Sequence, residues 1–362
     1  MASLSAAGIT TRDIREDFGL RDSEKFWASQ QPFFQSKGYQ LRPRYRPGWV
    51  KSWGDDPGLL THVEDAITCM MPALRVMDGI RISDGAVILF KRILRTQSAN
   101  EIEISRYLSQ EDFLTDRRNH CVPLLDVLDS GEGEDVFLVM PLLRDFEDPE
   151  LESVDDAVDF VGQTLEGLSF MHEKGVAHRD CARYNVMMDA KSIFPDGFHP
   201  QNTFLTPDAL HYVTARRRYQ VPYPKYYLID FGLSTRSHAV GGTLGQDKTV
   251  PEFENIRTAP HYQYDPFPVD VYILGKLYKD YLLAKFRNVS FLAPLVDRMT
   301  AKDPANRPSA AEALELFQTC RQRLSPFTMC RRLTPAKQNI VFGIIYEGWH
   351  LGRRLTSKRR AS

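Results

Sequence analysis

The sequence is short of most features that would assign a class at a glance. It has five cysteines, Cys69, Cys121, Cys181, Cys320 and Cys330, and no two of them stand in a CxxC spacing. That argues against a disulfide framework or a zinc site and for reduced thiols inside a cell. No apolar run approaches the roughly 20 residues that span a bilayer. The opening "MASLSAAGITTRDIRED" turns acidic and polar before the core of a signal peptide could form. Net charge is nearly absent too, with 46 Lys and Arg against 47 Asp and Glu, so no overall field favours nucleic acid or a membrane. No internal repeat is visible. These absences leave an intracellular protein, cytoplasmic or nuclear, without a membrane span and expected to be a monomer. Its 362 residues, 43% hydrophobic, suffice for one large two-lobed domain or two modest ones.

Residues 1–62 read as an N-terminal extension. "FWASQQPFFQSKGYQLRPRYRPGWVKSWGDDPG" is rich in Pro and Gly and shows no sustained period. Yet Trp27, Phe33, Phe34, Trp49 and Trp53 are too many large aromatics for a solvated tail. The segment is expected to be irregular and packed on the domain behind it, with a partner-binding arm as the alternative. From "GAVILFKRIL" the chain becomes regular. Residues 86–94 read as a buried strand, and "NEIEISRYLSQ" has helical spacing through Ile104 and Leu108. "CVPLLDVLDS" and "DVFLVMPLL" read as strands joined through "GEGE". "VDDAVDFVGQTLEGLSFMHEKG" reads as an amphipathic helix stopped at Gly175. Short strands then flank "HRDCARYNVMMD" and "YYLIDFG", and the rest is mostly helical. Residues 331–362 carry eight Lys or Arg and one Glu. This reads as a solvated basic tail, with nuclear targeting or attraction to lipid headgroups as the functional alternatives.

The chemistry-bearing motifs follow in a fixed order. Lys91 ends an apolar strand, and Glu101 opens a helical face, with Glu103 as its rival. "HRDCARYN" spans 178–185, "LIDFG" contains Asp230, Phe231 and Gly232, and "VPE" ends at Glu252. "DVYILG" supplies Asp270, and "DPANRP" supplies Arg307. A lone Asp-Phe-Gly is weak, but the ordered set is specific. From about residue 65 to 325 the chain resembles a eukaryotic protein kinase, and its details are most similar to a group of fungal kinase-like domain proteins.

That resemblance implies an α+β, bilobal protein-kinase-like fold over residues 63–330. A small β-rich N-lobe with one helix (63–142) would precede a larger helical C-lobe (143–330). It implies ATP and Mg2+ as cofactors and a protein substrate bearing Ser or Thr hydroxyls. Asp180 becomes the catalytic base near the acceptor hydroxyl, and Asn185 and Asp230 become the metal ligands. Lys91 would meet the nucleotide phosphates with Glu101 as its helix partner, and Leu89 and Met140 would line the nucleotide. His178, Arg179, Phe231, Gly232 and Asp270 support the loop, and Glu252 with Arg307 forms an anchoring ion pair for the activation segment.

Departures from the family pattern matter as much. No G-x-G-x-x-G precedes Lys91; only Gly79 and Gly85 are there. Without such a loop the backbone cannot close over phosphates in the usual way. Leu89 stands where most kinases have alanine against the adenine. Ser105 stands where an apolar residue is usual. Ala182 replaces the lysine that commonly follows the aspartate by two; neighbouring Arg183 could substitute for it or form only a local salt bridge. Residues 190–225 form an insertion rich in Pro and aromatics, suited to docking substrate or shielding a site. Arg179 suggests a phosphate switch in the activation segment, at Thr243 and then Ser237. The functional reading is a protein kinase of serine/threonine type. A catalytically weak scaffold and a small-molecule kinase are the alternatives.

Overall fold

Within the N-terminal segment, residues 22–40 depart from the sequence reading: they are regular. In the computed structural model, α1 spans Asp22–Ser36 and β1 spans Tyr39–Gln40. The inward positions of α1 are Glu24, Trp27, Gln31 and Phe34. They keep helical spacing, but two of the four are polar, which hides the apolar stripe. Glu24 is fully buried because Arg44 Nε (3.0 Å), the Tyr45 hydroxyl (2.9 Å) and the Arg21 amide (3.0 Å) satisfy its carboxylate. Gln31 accepts the Leu41 amide at 2.8 Å.

The structure describes residues 19–54, 63–69, 75–131, 133–241, 245, 249–259 and 261–356. Thr243, favoured above as a switch, lies outside them. The chain divides into two units, the first holding 1–97, 125–142 and 194–214 and the second 98–124, 143–193 and 215–362. Most of the 190–225 insertion therefore groups with the first unit, and the helix after Ser98 groups with the second.

The first unit is built on a five-stranded antiparallel sheet in the order β1-β2-β3-β5-β4, with β2 Val76–Arg81, β3 Val87–Leu94, β4 Asp126–Asp129 and β5 Asp135–Pro141. Side chains alternate between its faces. One face, with Met77, Phe90 and Val139, is covered by α1: Phe34 stacks on Phe90 at 4.3 Å and meets Phe137 edge-on at 4.9 Å. Gly79 belongs to this packing, since a Cβ there would lie 2.7 Å from the Phe90 ring. The other face carries Lys91, Leu89 and Met140, with Leu89 paired to Met140 on one side and Asp78 on the other.

The second unit is helical around short strands, so the molecule is α+β, as the resemblance implies. α2 (Ala99–Leu108) turns Glu101, Ile104, Ser105 and Leu108 inward, while Glu103 is exposed. α3 (Val154–Glu173) is the central helix; Ser153 and Asp156 cap its start, and Gly175 takes a left-handed φ just past its end. β6 (Arg144–Asp145), β7 (Val186–Met188) and β8 (Tyr226–Leu228) form a small antiparallel sheet in that order. α4 (Pro251–Thr258) and α5 (Pro266–Tyr278) follow, each with Pro in its first turn. The basic tail is not simply solvated: residues Ile340–Thr356 form a further helix, α6. Among the described residues no helix is long and apolar enough to cross a membrane.

Candidate active site

The loop 178–185 in the second unit is held from below by one buried carboxylate. Asp270, on α5, accepts the His178 amide at 2.7 Å and the Arg179 amide at 2.6 Å. The same carboxylate meets His172 Nε2 at 3.0 Å. Arg179 takes a left-handed φ of 66°, a conformation that costs a non-glycine residue free energy and persists only when its surroundings fix it. Its guanidinium donates to the Leu233 carbonyl at 3.0 Å and meets the Tyr264 hydroxyl at 3.2 Å. His178, fully buried, contacts the Ile229 carbonyl at 3.1 Å, and its own carbonyl accepts the Ser234 hydroxyl at 3.1 Å. These bonds tie the loop to the strand-end turn at Asp230.

Asn185 and Asp180 form the centre. The Asn185 amide nitrogen donates to the Asp180 carboxylate at 2.9 Å and to the Asp180 carbonyl at 2.8 Å. With its nitrogen so engaged, the Asn185 side chain has its amide oxygen left to offer, and the Ile229 amide bonds its backbone carbonyl at 3.0 Å. Asp230 also takes a left-handed φ, of 65°, and accepts the Gly232 amide at 3.2 Å. A Cβ at Gly232 would lie 3.3 Å from Glu101 Oε2, so the buried Glu101 carboxylate reaches this same turn. An amide oxygen and a carboxylate are hard donors, the set that Mg2+ takes alongside phosphate oxygens. Among the described residues no cluster of three or more His, Cys, Asp or Glu could hold a metal alone.

The remaining loop residues have definite roles. Arg183 is paired with Asp145 at 2.9 Å and with Glu147, and lies 4.6 Å over the Phe146 ring. Of the two roles open to it, the structure has the local salt bridge. Cys181 is wholly buried; burial first, then Asp270 and Asp180, push its thiol far above the usual range, so it is no nucleophile. Glu252 and Arg307 form a bidentate pair at 2.6 and 3.0 Å, and Arg307 also donates to the carbonyls of Ala301, Pro268 and Lys302. Ser237 is exposed and bonds the Ala239 carbonyl. At Gly245 a Cβ would sit 2.5 Å from Asp180 Oδ1 and 2.8 Å from the Arg179 carbonyl, so only glycine passes there.

In the first unit, the face with Lys91, Leu89 and Met140 is not bare. Asp78, beside Leu89 and 1% exposed, pairs with Arg42 Nε at 2.9 Å and accepts Gln201 Nε2 at 2.6 Å. Arg42 also donates to Glu64 (3.0 Å) and the Ile67 carbonyl (2.9 Å), and His199 meets Glu64 at 3.3 Å. Burial alone would raise Glu64, but His199 and Arg42 hold its carboxyl below the usual range. Arg42 and Glu64, from the connection between β1 and β2, and His199 and Gln201, from the insertion, thus surround Asp78. Sequence reasoning missed this network, because its members come from three distant segments and none carries a motif.

No family model matches the chain. Over 17% of its length it is 39% identical to the serine/threonine-protein kinase chk1 of Schizosaccharomyces pombe, covering 12% of that protein. Over 32% it is 28% identical to the mitogen-activated protein kinase sma-5 of Caenorhabditis elegans, covering 24% of it. Over 32% of its length it is also 32% identical to the serine/threonine-protein kinase PkaB of Streptomyces coelicolor, covering 29% of it. The chain is similar to protein kinases. It spans less than a third of the length of each of these kinases. Among solved structures, that of the Rad53 kinase domain and SCD2 superposes with a TM-score of 0.45 at 15% identity, over 78% of this chain and 95% of that one.

Proposed function

We propose that this kinase-like chain transfers a phosphoryl group from ATP to Ser or Thr hydroxyls of a protein substrate. The observation that carries this reading is the Asn185 amide on the Asp180 carboxylate, in a loop whose strained backbone is pinned by Asp270. So oriented, Asp180 can accept the acceptor hydroxyl's proton as the oxygen attacks the terminal phosphorus. Asn185 and Asp230 would hold Mg2+, which would supply positive charge against the phosphates. Lys91 meets the phosphates, Leu89 and Met140 line the nucleotide, and the Glu252–Arg307 pair anchors the segment against which a peptide lies. The names of the matched kinases support Ser/Thr over Tyr, and an intracellular setting fits both the reduced cysteines and those relatives. Within the protein kinase-like superfamily its sequence details are most similar to fungal kinase-like domain proteins.

A second reading is favoured by one observation. The residue beside Leu89 is a buried aspartate held by Arg42 and Gln201, where an adenine ring would prefer an apolar neighbour. On that reading the chain is a scaffold that binds nucleotide weakly or not at all. Thermal melting with ATP, with and without Mg2+, separates the two. A metal-dependent rise in Tm that Asp230→Asn abolishes, together with phosphotransfer lost in Asp180→Asn, supports the enzyme. No shift at millimolar ATP supports the scaffold.

A further inference from the structure

The C-terminal helix is amphipathic the wrong way round for a helix packed on a protein. The side facing the body carries Glu347, His350 and Arg354, which bond Arg331 (3.5 Å), the Cys330 carbonyl (3.2 Å) and Asp155. Its outward side carries Val341, Phe342, Ile344, Ile345 and Trp349, which are 58–70% exposed. Isolated exposed apolar residues are ordinary, but five on one helix face form a patch of the kind that marks an interaction site.

Charge decides what fits the patch. Arg353 lies 3.4 Å over the exposed Trp349 ring, and exposed Lys337 precedes the helix. The helix's own acid, Glu347, is turned inward and paired with Arg331, and Glu150 and Glu152 line a cavity beside Trp349 and Arg353. No acidic residue lies on the outward face among the described residues, and the sequence directly after the helix adds Lys358, Arg359 and Arg360. A second copy of this face would bring cation against cation. An anionic surface with an apolar interior would match both components. We infer that this helix docks the protein on an anionic phospholipid bilayer, lying in the interface with Trp349, Ile345 and Phe342 at the headgroup–acyl boundary. This is a surface attachment rather than a span, consistent with a helix that is not long and apolar enough to cross. It does not depend on the kinase reading.

Flotation of the full chain with phosphatidylcholine vesicles, with and without phosphatidylserine, tests it. Binding is expected only with phosphatidylserine, and it weakens as added salt screens the cations. Ile345→Glu with Trp349→Glu should lower the bound fraction about tenfold or more, since it removes apolar contact and adds like charge to an anionic surface. Both side chains are exposed, so Tm should be unchanged, which separates lost docking from lost folding. Three outcomes overturn the proposal. One is no binding of the wild type to anionic vesicles, and another is equal binding of the variant. The third is a wild-type dimer in sedimentation that the variant converts to monomer, which would assign the face to a second copy.

Discussion

The two units treat their candidate functional residues differently. In the second, the loop with Asp180 and Asn185 is fixed mainly through backbone: Asp270 takes two consecutive amides, Asn185 bonds the Asp180 carbonyl, and the Ile229 amide closes on Asn185. In the first, the face with Lys91 is surrounded by side-chain ion pairs borrowed from elsewhere in the chain. Backbone bonds are set by spacing, so the loop keeps its geometry wherever the spacing is kept. Side-chain networks depend on particular partners and can be rebuilt. The second unit therefore follows the kinase-like sequence pattern closely, and the first is where the chain departs from it.

Breaking a buried ion pair in each unit gives the largest expected effect. Arg307→Ala leaves Glu252 buried without its bidentate partner, and Arg44→Ala does the same to Glu24. Each should cost about 3–5 kcal/mol, because an uncompensated charge remains in a dry site. Chemical denaturation measures both. Should Arg44→Ala cost less than about 1 kcal/mol, water reaches Glu24 and the first unit's ion pairs are not its scaffold.

Two glycines sharpen the contrast at intermediate cost. Gly79→Ala drives a Cβ into the Phe90 ring and the Gln40 carbonyl within a packed sheet, and should cost about 1–3 kcal/mol. Gly245→Ala meets Asp180 and the Arg179 carbonyl at a half-buried position outside any strand or helix. It should leave stability within about 1 kcal/mol of wild type while lowering phosphotransfer. Melting curves and turnover of the two variants test this. Equal destabilisation would mean that Gly245 is held as firmly as the sheet.

What the sequence made legible follows the same division. The loop, the Asp230 turn and the Glu252–Arg307 pair were readable because each is a local motif or a pair flagged by two motifs. Strands 87–94 and 135–141 and the helix ending before Gly175 were readable from period and stop signals. Helix α1 was not, since Glu24 and Gln31 occupy inward positions that normally hold apolar residues. Asp78 was not, since its place beside Leu89 appears only once β2 and β3 are in register. Gly79, noted in the sequence only as one of two glycines before Lys91, makes room for Phe90. The C-terminal helix was masked by its own charge, which reads as a tail until Glu347 and Arg354 find partners.

The smallest effect concerns how each unit carries acid. In the first, Glu64 is held low because its partners outweigh its burial, and the same holds for Glu24 with Arg44, the Arg21 amide and Tyr45. In the second, Asp159 on α3 is pushed up to about 7, chiefly by burial and further by Asp156, with the Gln163 amide and then Arg321 and Arg218 opposing. The folded state thus holds a proton on Asp159 that the unfolded chain releases near pH 4. This group's contribution is fully present below about pH 4 and is lost as pH rises to about 7, beyond which the penalty is constant. Asp159→Asn removes the ionisation while keeping an oxygen for Gln163. Its Tm relative to wild type should be unchanged at the acid end of that window, rise through it, and level off above pH 7. The rise is limited because the carboxyl is only partly enclosed. A difference that stays flat from pH 4 to 8 would mean Asp159 ionises like a surface acid, and the contrast between it and Glu64 would fall.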